Sequence, residues 1–76
     1  QALAQDLGTA LQRITALEDT LAALTMLAMR AMPTDERPGF AEALAALAAT
    51  AEKHHDMASA TLLTDLHRAA VQSGRA

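Results

Sequence analysis

Residues 21–32 form a helical run in which apolar side chains fall on every face. The run reads LAALTMLAMRAM, and its only polar residues are Thr25 and Arg30. A helix in a small soluble protein normally needs one apolar stripe, so a helix that is apolar all round must be covered from several sides. A chain of 76 residues has little material for this. The run therefore predicts that the chain associates with a partner.

The composition predicts an all-α fold. The chain contains 20 Ala and 12 Leu, but one Ile, one Val and one Phe. Ala and Leu are strong helix formers, whereas β-branched and aromatic residues are typical of strands. Ala buries little apolar area, and the absence of cysteine excludes disulfides. At this size, association between copies is the obvious remaining source of stability.

A heptad repeat runs through the first 31 residues. With Leu7 at position a, every a and d position is apolar, as is typical of a coiled coil. We call these nine positions the seam: Leu3, Leu7, Ala10, Ile14, Leu17, Leu21, Leu24, Ala28 and Ala31. Pro33 disfavours helical backbone at the residue before it. We therefore expect a first helix over about 2–32.

The second half of the chain predicts another long helix. After a turn at 33–38, neither Gly nor Pro occurs between Phe40 and Gly74, so we expect one continuous helix over about 39–73. The alternative is a break near 54–58, with Lys53 ending one helix and Asp56 capping the next. The short turn predicts two antiparallel helices in a single domain, 1–76. This helical hairpin would dimerise into a four-helix bundle.

In such a hairpin, residues 21–32 lie beside the equally apolar segment 41–51, next to the turn. One hairpin cannot cover both segments, and exposed apolar patches usually mark interaction sites. The half of the hairpin near the turn is therefore the predicted association surface. Its candidate residues are Leu21, Leu24, Met26, Leu27, Met29, Met32, Phe40, Leu44 and Leu47. The expected partner is a second copy in a homodimer, or another protein that binds the same half.

The sequence carries little that indicates chemistry. Cysteine is absent, there are two serines, and the three glycines are far apart, so neither a nucleophile motif nor a phosphate-binding loop is present. We expect no catalytic residues, no cofactor and no metal. The net charge of −3 argues against a nucleic-acid partner. Residues 21–32 are too short to span a membrane.

These observations favour a non-catalytic protein–protein interaction module, such as a homodimerising adaptor or a regulatory or chaperone-like protein. The alternative is a metal-binding helical bundle that uses the Glu-x-x-His pair Glu52 and His55, with Glu18 as a further ligand. A weaker possibility is a client-binding chaperone whose apolar groove is empty in isolation. The sequence does not identify a partner.

Overall fold

The computed structural model describes residues 2–74 and contains three α-helices. Helix α1 spans Ala2–Ala31, α2 spans Arg37–Lys53 and α3 spans Met57–Gly74, and a single 3₁₀ turn, Thr34–Glu36, joins α1 to α2. Within these residues there is no strand. The all-α prediction is confirmed. The prediction of two long helices is wrong, because the second half of the chain forms two helices.

The connection between α1 and α2 closes the carboxyl end of α1. The Arg37 guanidinium donates hydrogen bonds to the carbonyl oxygens of Met32 (3.2 Å) and Arg30 (3.3 Å). The last carbonyls of a helix have no partner within the helix, and a cation there also interacts favourably with the helix dipole. Arg37 therefore stabilises the end of α1 from the first residue of α2.

Helix α2 ends in a hydrogen-bonded reversal, which breaks the predicted continuous helix. The Asp56 amide donates to the Ala51 carbonyl (2.9 Å), and the His55 amide donates to the Glu52 carbonyl (3.0 Å). This pair of bonds defines a Schellman motif. Its left-handed position is occupied by His55, at φ 60°, although glycine is the usual residue there. The absence of glycine concealed this helix end in the sequence.

Helix α3 begins at once, because Asp56 caps it. The Ser59 amide donates to Asp56 Oδ1 (3.1 Å), and the Ser59 hydroxyl donates to Asp56 Oδ2 (2.7 Å). A carboxylate that accepts an amide hydrogen bond is a favoured helix N-cap. The hydroxyl and amide bonds from Ser59 lower the pKa of Asp56. Three residues therefore suffice to end α2 and start α3, as the alternative of a break near 54–58 supposes.

Helix α3 makes the main tertiary contacts of the chain. It packs against both α2 and α1. The sequence instead predicted α1 and α2 as an antiparallel pair. The reversal at His55 turns α3 back along α2, and α3 packs against α1 as well, while Met29 of α1 and Leu44 of α2 lie in the same core cluster.

The core is small and lies around the end of α1. Its buried residues are Met29, Leu44, Leu66 and Ala70, with Ala22, Phe40, Ala41, Leu62 and Leu63 packed against them. The buried Ser73 hydroxyl donates to the Met26 carbonyl (3.3 Å) and ties the end of α3 to α1. The core is therefore formed by the last third of α1 together with α2 and α3.

The rest of α1 projects away from this core. Every residue from Ala2 to Leu21 is exposed. We call residues 2–21 the arm and residues 22–74 the body. The chain measures 52 × 28 × 13 Å and has a radius of gyration of 14.9 Å, whereas a compact domain of this length would have about 11.4 Å. The molecule is a small body with a long helical arm.

Candidate functional site

A row of large apolar side chains runs along the arm and faces solvent. The exposed fractions range from 41% at Leu21 to 83% at Leu3. The row consists of seam residues and continues to the start of the body: Leu3, Leu7, Ile14, Leu17, Leu21 and Leu24. Leu11 and Leu27, which flank the seam, are 57% and 60% exposed. This contiguous apolar surface is the candidate interaction site.

The exposed seam and the body occupy different faces of α1. Where the two overlap along the helix, Leu21 and Leu24 are exposed, whereas Met29 is buried and Ala22 and Met26 are partly buried. Residues three, four and seven apart share one helical face, so Ala22, Met26 and Met29 form the side that meets the body. The seam as far as Leu24 therefore lies on the side of α1 that α3 leaves exposed.

Charged residues flank the apolar row. In the heptad repeat, Asp6 and Arg13 occupy g positions and Glu18 occupies an e position. Neither Arg13 nor Glu18 has an opposite charge three or four residues away, where a helix brings side chains together. Among residues 2–74, the single ion pair joins Arg68 and Asp65 (3.4 Å). Arg13 and Glu18 are thus exposed charges beside the seam with no ionic partner within the described chain.

The structure distributes the nine predicted interface residues over three environments. Leu21, Leu24, Leu27 and Leu47 are exposed, while Met26, Met32 and Phe40 are partly buried and Met29 and Leu44 are buried. Met29 is only 1% exposed. The buried pair belongs to the core, where α3 packs against both α1 and α2. The exposed apolar surface is therefore centred on the arm and not on the turn.

The heptad repeat identifies the seam, but the predicted interface does not include the seam between Leu3 and Leu17. A continuous second helix would have placed residues 52–76 beside residues 1–20 and covered them. The reversal at His55 removes that cover. The signal was the heptad repeat itself, whose largest aliphatic residues lie in the first 24 residues.

The residues of the alternative metal site are not brought together. His55 lies in the reversal between α2 and α3, so it does not share a helical face with Glu52. Glu18 is exposed on the arm. Across residues 2–74, no group of three His, Asp or Glu side chains is arranged to hold a metal ion.

No helix within the described range is long and apolar enough to cross a bilayer. Comparison with models of known protein families, with curated protein sequences and with solved structures finds no match.

Proposed function

We propose that this chain is a non-catalytic protein–protein interaction module that forms a homodimer through the seam of its arm. The observation that carries the proposal is the exposure of every residue from Ala2 to Leu21, including a row of Leu and Ile at coiled-coil spacing. Such a row on a helix is suited to pack against a second helix of the same kind.

The exposed area of the chain supports an interface of ordinary size. The chain exposes 5647 Å², whereas a compact monomer of its mass, 8.0 kDa, would expose about 4,450 Å². The difference is about 1,200 Å², and a typical stable interface buries about 800 Å² on each partner. Pairing along the arm would therefore bring the chain close to the exposure of a compact protein.

The stability of the arm supports the same proposal. Most of the stability of a helix in a protein comes from packing of its apolar face against other elements, and the arm has no such packing within the chain. The arm also contains Gly8, with no side chain or neighbouring element near it, and glycine disfavours helix by about 1 kcal/mol relative to Ala. A partner helix on the seam would supply the packing that the body does not give.

Sedimentation equilibrium of the purified chain tests the proposal. At micromolar concentration we expect twice the monomer mass of 8.0 kDa. Ile14→Asp places a charge in the centre of the seam and is expected to give the monomer mass. The matched control is Gln12→Asp, which adds the same charge on the side of the arm away from the seam and should leave the dimer intact.

Far-ultraviolet circular dichroism of the two variants separates loss of association from loss of folding. Ile14 is 51% exposed and lies outside the core, so Ile14→Asp is expected to leave α2 and α3 helical. A monomer mass for the unmodified chain throughout the micromolar range would contradict the proposal. If that monomer also binds a hydrophobic dye, the client-binding chaperone becomes the better interpretation.

A further inference from the structure

We infer that the two copies pair through their α1 helices in parallel and in register, with an ion pair between Arg13 of each copy and Glu18 of the other. The inference rests on the proposed function and adds the orientation of the partner. It places both bodies at the same end of the dimer and both arm tips at the other.

The charges beside the seam favour this orientation. In a parallel coiled coil, a g residue faces the e residue five positions further along the partner helix, and such pairs set orientation. Arg13 at g therefore faces the partner's Glu18 at e, and the symmetry of the dimer repeats the pair. The other g position of the arm that is charged, Asp6, faces the partner's Leu11. The parallel register thus gains two attractive pairs and brings no like charges together.

Antiparallel pairing with a long overlap forms no attractive pair that involves Arg13. If Leu3 is matched with the partner's Leu21, g faces g, and Arg13 faces its own symmetry mate. A shift of one heptad, which matches Leu7 with the partner's Leu24, leaves Arg13 facing Thr20 of the other copy. Neither register pairs Arg13 with an acidic residue.

A shorter antiparallel overlap does place Asp6 opposite the partner's Arg13. It matches Leu3 with the partner's Ile14, however, and so leaves Leu17, Leu21 and Leu24 uncovered. These three side chains are between 41% and 63% exposed in the chain. The parallel register covers all three. Of the registers compared, it is the one that both buries the whole apolar row and pairs Arg13 with Glu18.

The residues of the seam are compatible with two parallel strands. Among the a positions of the arm, Ile14 is β-branched, whereas Leu7 and Leu21 are not, and Leu3, Leu17 and Leu24 occupy d positions. A β-branched residue at a with Leu at d favours two parallel strands, so the layer at Ile14 is the one that favours a dimer. Because the body packs on a different face of α1, each body can lie outside the paired helices.

Reversal of the two charges tests the pairing. Arg13→Glu and Glu18→Arg each turn two attractive pairs into repulsive pairs, and we expect each to weaken the dimer Kd about 10-fold at low salt. The double variant Arg13→Glu/Glu18→Arg restores opposite charges and should return to within about threefold of the unmodified chain. Gln12→Glu and Asp19→Arg are the controls, because each changes the charge in the same direction as its neighbouring test variant but lies on the side of the arm away from the seam.

Disulfide trapping reads the orientation directly, since the chain contains no other cysteine. In a glutathione redox buffer, Leu3→Cys is expected to form a disulfide with the same position of a second copy. An equimolar mixture of Leu3→Cys and ¹⁵N-labelled Leu21→Cys should give only the two homodimeric disulfides. Mass spectrometry distinguishes these from the mixed disulfide that the longest antiparallel overlap of the arms would give.

The outcomes separate the inference from the proposed function. A doubled mass with charge rescue and homodimeric disulfides supports both. A doubled mass that is lost in Ile14→Asp, together with the mixed disulfide or an absence of charge rescue, overturns the parallel orientation and leaves the interaction module standing. A monomer mass for the unmodified chain overturns both.

Discussion

The arm and the body use apolar residues in opposite ways. The arm carries Leu at five positions and one Ile, yet every one of its residues is exposed. The body encloses a core in which Met29, Leu44 and Leu66 are the only large side chains that are buried, and small Ala residues complete it. Most of the large aliphatic surface of α1 thus lies where the chain itself does not cover it.

A small protein that associates needs a core for folding and a surface for its partner, and in this chain the two lie in different regions. The body meets the need for a core by close approach of Ala-rich helices around one Met. The arm holds larger side chains in a regular heptad row, and this spacing is suited to packing against a partner helix. If this division is correct, substitutions in the body should change folding, and substitutions in the arm should change association.

Truncation of Met29 is expected to have the largest effect on folding. Met29 is 1% exposed and lies at the centre of the core, and Met→Ala at buried sites costs about 2–5 kcal/mol. Urea unfolding of Met29→Ala followed by circular dichroism should show a loss in this range. Met57→Ala is the control, because Met57 is 59% exposed and the free energy of unfolding should change by less than about 0.5 kcal/mol. Equal losses in the two variants would contradict the assignment of the core.

Loss of the Asp56 cap is expected to destabilise the body moderately. Asp56→Ala removes both hydrogen bonds from Ser59 and leaves the amide at the start of α3 without its acceptor. The thermal midpoint should fall by a few degrees. Asp56→Asn retains a capping oxygen and should lose less. An unchanged midpoint in Asp56→Ala would show that the cap does not hold α3 in place.

The same cap makes a contribution that depends on pH. Because hydrogen bonds from Ser59 lower the pKa of Asp56 in the folded chain, folding is favoured by the charged carboxylate above the ordinary pKa of aspartate. This contribution is lost as the pH falls through the lowered value. The difference in thermal midpoint between the unmodified chain and Asp56→Asn should shrink on acidification. A difference that stays constant or grows would contradict the hydrogen-bonded carboxylate.

Replacement of His55 by glycine is expected to stabilise the body slightly. His55 has φ 60°, and a left-handed conformation costs a residue with a Cβ atom about 1 kcal/mol or more. His55→Gly should raise the free energy of unfolding by about 1 kcal/mol in urea titrations. His54→Gly is the control, since His54 has φ −91° and should gain nothing. A gain in His54→Gly and none in His55→Gly would place the reversal elsewhere.

Replacement of Gly8 is expected to have the smallest effect, and it should act on association. A Cβ atom at Gly8 meets open space, so Gly8→Ala should favour helix in the arm by up to about 1 kcal/mol per chain. The dimer Kd measured by sedimentation should therefore decrease. Gly39→Ala also meets open space but lies in the body, and it should leave the Kd unchanged. A stronger effect from Gly39→Ala would contradict the division between arm and body.

Much of the fold could be predicted from the sequence, because helix signals in this chain are local. The heptad seam and Pro33 placed α1 within a residue of its observed end at Ala31. The sequence favours a continuous helix over the break between α2 and α3, since a left-handed histidine carries no composition signal like that of glycine. The arm is exposed because the second half of the chain breaks at His55. Without that break, the sequence could not predict the surface near Leu7 and Ile14 as an interface.

Amide hydrogen exchange of the arm, followed by mass spectrometry at two chain concentrations, tests the central claim most directly. One sample lies well below and the other well above the dimer Kd. We predict that arm amides exchange quickly in the dilute sample and slowly in the concentrated one, while amides around Leu44 and Leu66 exchange slowly in both. Equal protection of the arm at the two concentrations would contradict the claim that a second copy covers the seam.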